Sequence, residues 1–149
     1  MNSLYDLNSL EELTKRINTL NPETQKKWGT MDTAQMFSHC SDAMKMANGT
    51  TNLKRLFISY IIGKLLKPSY SNDKPYKQNL PTAKEFVKKE AKNFDQEKGL
   101  LISLISDFQK GGEEKCTTHP HPMFGKLTTE EWGKGCYKHL DHHLRQFGV

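Results

Sequence analysis

Apolar residues recur every three or four positions along this chain, and polar or proline-marked breaks divide the pattern into five helical stretches. Ser9 and Glu12 have capping-box spacing ahead of Leu13, Ile17 and Leu20, so a first helix is expected from Ser9 to the stop at Asn21-Pro22. Asp32 and Gln35 repeat that signature before "TAQMFSHCSDAMKMANG", which ends at Asn48-Gly49. The run "LKRLFISYIIGKLLK" predicts a buried or amphipathic third helix from about Leu53 to Leu66, stopped by Pro68. Behind Pro81, Thr82 and Glu85 open a long fourth helix, with Phe86, Phe94, Leu101, Leu104 and Phe108 as its core residues and Gly111-Gly112 as its end. Thr128 and Glu131 open the last one.

No stretch keeps a period of two for more than a few residues, and "SYSNDKPYKQNLP" and "GGEEKCTTHPHPMFGKLT" read as proline-punctuated loops. There is no repeat at a fixed period. The expected fold is therefore all-α, a four-helix bundle with one additional short helix, in a single domain over residues 1–149.

Composition adds little to that picture. A chain of 149 residues can bury one core but is short for two. The net charge of +5 could attract anions, but Lys84, Lys88, Lys89 and Lys92 alternate with Glu85 and Glu90 as on a solvated helix face. No arginine-rich tract, zinc finger or RNA-binding signature is present, so nucleic acid is not an expected partner. Cys40, Cys116 and Cys136 form no CxxC pair and are odd in number, which fits reduced thiols in a cytoplasm. "MNSLYDLNSLEEL" lacks the basic start and apolar core of a signal peptide. The apolar run carries Lys64 inside it and is too short for a membrane span, leaving peripheral membrane contact as the lesser alternative to a buried helix.

Chemistry enters with the histidines, half of whose six lie in the closing stretch "YKHLDHHLRQFG". At about 100° per residue, with Cys136 at zero, His139 falls at about 300°, His143 at about 340° and Trp132 at about 320°. Leu140 and Phe147 sit beside that stripe at about 20° to 40°, while Lys138, Asp141 and Arg145 lie on the far side at about 140° to 200°. His142, at about 240°, is nearer the polar boundary. Two imidazoles four residues apart can converge on one ion. In the second helix His39 borders the apolar face made by Met36, Ala43 and Met46, so it can face them across a bundle. Three neutral imidazoles would hold zinc or nickel and leave a coordination position open. The bland alternative is three hydrogen-bonded boundary histidines.

The segments "WGTMDTAQMFSHC", "HPMFGKLTTEEW" and "YKHLDHHLRQFG" together resemble the DinB/YfiT-like superfamily of metal-dependent enzymes built on four-helix bundles. The resemblance spreads over most of the chain. It implies a DinB-like bundle in which His39 matches the first metal ligand, His139 and His143 the closing pair of an HxxHHxxQ pattern, and Gln146 its trailing glutamine. His142 takes the intervening position and need not be a ligand. Some relatives use the metal to activate a low-molecular-weight thiol in transfer or isomerisation, so the resemblance implies a small-molecule substrate.

Other residues widen the site. Gln146 and His142 are candidates to support the ligands, since ligand imidazoles need partners for their second nitrogen. Cys136, three residues before His139, joins them as a thiol on the same stripe, although a plain buried cysteine fits it as well. His121, held between Pro120 and Pro122, is the candidate catalytic residue; a stiff lead-in to the last helix is the alternative. The leading expectation is a metal-dependent thiol transferase or metal-dependent hydrolase. A non-catalytic metal-binding bundle, alone or as a homodimer, is the reading from another class.

Overall fold

The computed structural model describes residues 2–55, 57–81 and 86–149. Five α-helices make up the described fold: α1 Leu7–Thr19, α2 Thr33–Ala47, α3 Ser59–Ser71, α4 Phe94–Gly111 and α5 Thr129–Gln146, with a single 3-10 turn at Glu113–Lys115. Among the described residues no strand forms; the one bridge pairs His121 with Gly125 across a tight turn. The chain is all-helical, as its apolar period demands.

Two helix starts follow the sequence signals closely. At α2, Asp32 accepts from the Gln35 amide while Gln35 reaches back to the Asp32 amide, and at α5 Thr128 and Glu131 do the same. Each box satisfies two amide donors that a bare helix start leaves open. The end of α2 turns at Gly49, whose φ of 73° suits glycine.

Three expectations need correction. The first helix starts at Leu7 behind Asp6, so Ser9 is not a cap; its side chain is buried in the helix. The fourth helix starts at Phe94, where Asn93 accepts from the Gln96 amide and Asp95 and Glu97 meet the positive end of the helix. Phe86 therefore precedes the helix; the cap expected at Thr82 and Glu85, like Lys84, lies outside the described residues. The third helix runs past Pro68 to Ser71. Its C-terminal carbonyls find an unusual donor: the Lys138 ammonium of α5 bonds the Ser69 oxygen at 2.6 Å and the Asn72 oxygen at 3.1 Å.

The core lies where α2 packs on α4 and α5, with α1 closing one side. Phe37, Leu13, Ile17, Met36, Met44, Leu101, Ile105, Leu140 and Leu144 are buried there. Arg16 ties α1 to α5 through Asp141 at 2.9 Å and the Val149 carbonyl at 3.0 Å. Glycines set how closely α3 is packed: a Cβ at Gly135 of α5 would stand 1.9 Å from the Tyr70 ring, and one at Gly63 of α3 would stand 2.5 Å from the Met123 carbonyl in the loop before α5.

Candidate metal centre

The Asp32 box starts α2 and the Thr128 box starts α5; together they fix which way each helix turns His39, His139 and His143. These three side chains meet. One nitrogen from each falls within 4.8 Å of the others, and the Nε2 atoms of His39 and His139 face each other at 3.2 Å. Ring centroids stand 4.7 Å apart for His39 and His143, 4.7 Å for His139 and His143, and 5.1 Å for His39 and His139. The stripe drawn from helical angles thus exists, and His39 reaches it from the facing helix.

The surroundings fix which nitrogen is free on two of the rings. His39 Nδ1 lies 3.1 Å from the Phe86 carbonyl oxygen, which can only accept, so Nδ1 carries the proton and Nε2 the lone pair. A second backbone carbonyl orients His143 through Gln146. Gln146 Nε2 donates to the Trp28 oxygen at 2.7 Å, which orients the amide and leaves its Oε1 to accept from His143 Nδ1 at 3.0 Å. His143 therefore also presents Nε2 to the cluster. Gly29 makes room for this: its φ is 78°, and a Cβ there would stand 2.3 Å from Gln146 Nε2.

Burial keeps all three rings neutral. It lowers the His39 pKa, lowers that of His143 to about 3 and drives that of His139 well below the ordinary histidine value, with the neighbouring histidines adding to the shift at His139. Neutral imidazole is the form that ligates metal. Two nitrogens bound to one ion at the usual zinc–imidazole length of about 2.0–2.1 Å stand about 3.0–3.4 Å apart for angles between square and tetrahedral. The 3.2 Å separation of His39 and His139 fits that spacing. Three converging histidines are thus a cluster able to hold a metal ion.

The remaining expected residues divide. Gln146 is buried and supports His143 directly, as its place in the pattern implies. His142 is half-buried beside the cluster, its ring 5.1 Å from His143, 5.9 Å from Trp28 and 5.6 Å from Tyr76. Cys136 is buried but turned elsewhere, 4.0 Å from the Tyr70 hydroxyl, and burial pushes its thiol up to about 12. It supplies no sulfur to the three-histidine group.

His121 lies apart, boxed by the rings of Phe124 at 4.6 Å, Tyr70 at 5.3 Å and Trp132 at 5.5 Å. Its Nδ1 accepts from the amides of Met123 at 3.1 Å and Phe124 at 3.3 Å, and burial lowers its pKa to about 4. The lone pair that a general base needs is already occupied by backbone.

Sequence reasoning missed the Phe86 and Trp28 carbonyls, which as backbone atoms carry no residue signature. It also placed Lys138 on the solvent side of α5. Lys138 is instead 6% exposed, with its ammonium on the α3 end and 4.4 Å from the centre of the Tyr76 ring. Aliphatic length lets a lysine occupy such a boundary while its head finds carbonyls.

No helix among the described residues is long and apolar enough to cross a membrane. No curated protein and no solved structure matches the chain. The sequence model of one family matches residues 1–148, and the chain accordingly belongs to that family, described as protein of unknown function (DUF1569).

Proposed function

We propose that this protein is a metal-dependent enzyme of the DinB/YfiT-like type, holding a divalent ion, zinc or nickel, on His39, His139 and His143. The observation that carries the reading is the pair of fixed tautomers: backbone carbonyls, directly at His39 and through Gln146 at His143, point two Nε2 lone pairs at one place shared with His139. Ligand histidines in metal sites are held by this kind of partner on the second ring nitrogen. A bound divalent ion would supply Lewis acidity and favour the deprotonated form of a thiol or water at neutral pH. The chain's own part is to keep the imidazoles neutral by burial, to hold their rings still, and to wall the cluster with Trp28, Tyr76 and His142. His121 acts as a positioning residue, pinning the turn that leads into α5. The reaction we favour is transfer of a low-molecular-weight thiol to a small electrophile, with hydrolysis as the alternative chemistry on the same residues.

The test is metal content by plasma mass spectrometry on tag-free protein beside His39→Ala, His139→Ala and His143→Ala. Near one ion per chain, lost in each folded variant, supports the site and justifies a thiol-transfer screen. Protein that neither holds nor takes up zinc or nickel sinks it. The burial of His39 and His143 also favours a second reading, an ion that only joins α2 to α5. In that case chelation lowers the melting temperature strongly and added thiols leave the spectrum of a cobalt-substituted protein unchanged.

A further inference from the structure

Helix α3 is built inside out. Its buried positions are Ser59, Gly63 and Tyr70, whereas Phe57 is 85% exposed, Leu65 81%, Ile61 69% and Tyr60 62%. With Ile61 at zero, Leu65 lies at about 40°, while Ser59, Gly63 and Tyr70 lie at about 160° to 200°; Phe57 stands in the turn just before the helix. Large apolar residues therefore form an outward stripe, while Tyr70 faces Gly135 of α5 and Gly63 faces the Met123 carbonyl. Exposed apolar surface of this kind marks a contact with something else.

Charge says what the partner is. From residue 43 to residue 72 the chain carries Lys45, Lys54, Arg55, Lys64 and Lys67 and no acidic residue. Lys64 is exposed on the same helix and Lys54 is exposed in the segment that leads to it, and neither has a carboxylate partner among the described residues. An apolar helix crest in a stretch of chain that carries lysines and no carboxylate fits an anionic bilayer surface, where the ammonium groups meet headgroups and the apolar crest enters the acyl boundary. A second copy fits worse, because a two-fold contact through this stripe sets the same lysines against each other.

We infer that the outward face of α3 docks on an anionic lipid bilayer as a peripheral, in-plane contact. This is independent of the metal centre, since no stripe residue is a hydrogen-bond or ring partner of the three histidines.

The full-length chain is mixed with vesicles of phosphatidylcholine alone and with vesicles containing about one third phosphatidylglycerol, a strongly anionic surface. Cosedimentation with the second and not the first, weakened by salt, is expected. Ile61→Ser with Leu65→Ser lowers partitioning by about tenfold or more, and Lys54→Gln with Lys64→Gln by about fivefold for each lysine. Because all four side chains are exposed, circular dichroism and metal content should stay those of the parent. A Phe57→Trp variant checks depth by a blue shift in emission on the anionic vesicles. Absence of binding to anionic vesicles at low salt overturns the inference. So does a dimer in sedimentation equilibrium that the double serine variant dissociates while vesicles bind neither form, which would assign the stripe to a second copy.

Discussion

Helices α3 and α5 are neighbours with the same helical period in their sequences, yet they bury opposite kinds of residue. Helix α5 takes His143, Gln146 and Lys138 inside, and α3 leaves Tyr60, Ile61 and Leu65 outside. A period fixes which residues share a face; the neighbours decide which face is buried. On α5 these three buried polar side chains have partners that offset their desolvation: His143 and Gln146 have each other, Gln146 also has the Trp28 carbonyl, and Lys138 has the end of α3. On α3 the approach is close at both ends of its inner face: Gly135 of α5 admits only the flat Tyr70 ring, and the Met123 carbonyl of the loop before α5 leaves room for nothing beyond Gly63. Close backbone approach thus excluded the large side chains that the apolar run alone would send inward.

The largest effects test this contrast directly. Phe37→Ala, in the α2 core at 0% exposure, should cost about 3–5 kcal/mol, while Leu65→Ala on α3 should stay within about 0.5 kcal/mol. Urea denaturation midpoints at constant slope measure both. Equal losses would mean that α3 is turned inward and that the contrast is wrong.

This difference also marks how much could be read beforehand. The α2 and α5 boxes, the histidine stripe and the glutamine one turn on were legible because each is a local pattern: a cap at fixed offset, or residues four apart on one helix. Three features were not. The start of α4 depended on Asn93 competing with an apparent cap nearer Pro81, the passage of α3 through Pro68 depended on a lysine from α5, and the tautomers depended on two backbone carbonyls. The Asn93 cap is local but carries a weaker pattern than its rival, whereas the other two are contacts between parts of the chain distant in sequence, where local propensity gives way to tertiary context.

Acid should probe the buried histidines next. His121 is neutral in both folded and unfolded chains above about pH 6.5, the ordinary histidine value, so it contributes no pH dependence there. Below that, the unfolded chain takes up a proton that the buried ring refuses until about pH 4, so metal-free protein loses stability as pH falls, by up to about 1.4 kcal/mol per pH unit for this group. His39, His139 and His143, lowered by the same cause, steepen the loss in the same direction. His121→Asn keeps an acceptor for the Met123 amide and does not titrate, so its stability between pH 6.5 and 5 should fall less steeply by up to that amount. Denaturation at several pH values decides it; an unchanged slope would place His121 in water.

A smaller effect sharpens the α5 side. Gln146→Ala removes the acceptor that fixes His143, and zinc affinity measured against a competing chelator should fall about 10- to 100-fold. Gly29→Ala should shift affinity in the same direction but less, since it displaces Gln146 without deleting it and strains a backbone with φ of 78°. If Gln146→Ala binds zinc as tightly as the parent, the fixed tautomer is not what prepares the site.

The smallest expected effect separates a real helix start from an apparent one. Asn93 bonds the Gln96 amide at 3.0 Å, and Asn93→Ala leaves that donor without its cap at a cost of about 1 kcal/mol. Ser9 has the better sequence signature, with Glu12 three residues on, yet Asp6 has already begun the helix and the Ser9 side chain lies inside it. Ser9→Ala should therefore change stability by no more than about 0.5 kcal/mol, because no cap is lost and alanine is the better helix former. Denaturation midpoints for the pair give the answer. The reverse order would move the start of α1 to Ser9, turn Leu7 and Asn8 out of the helix, and return the boundary to where the residue pattern alone had put it.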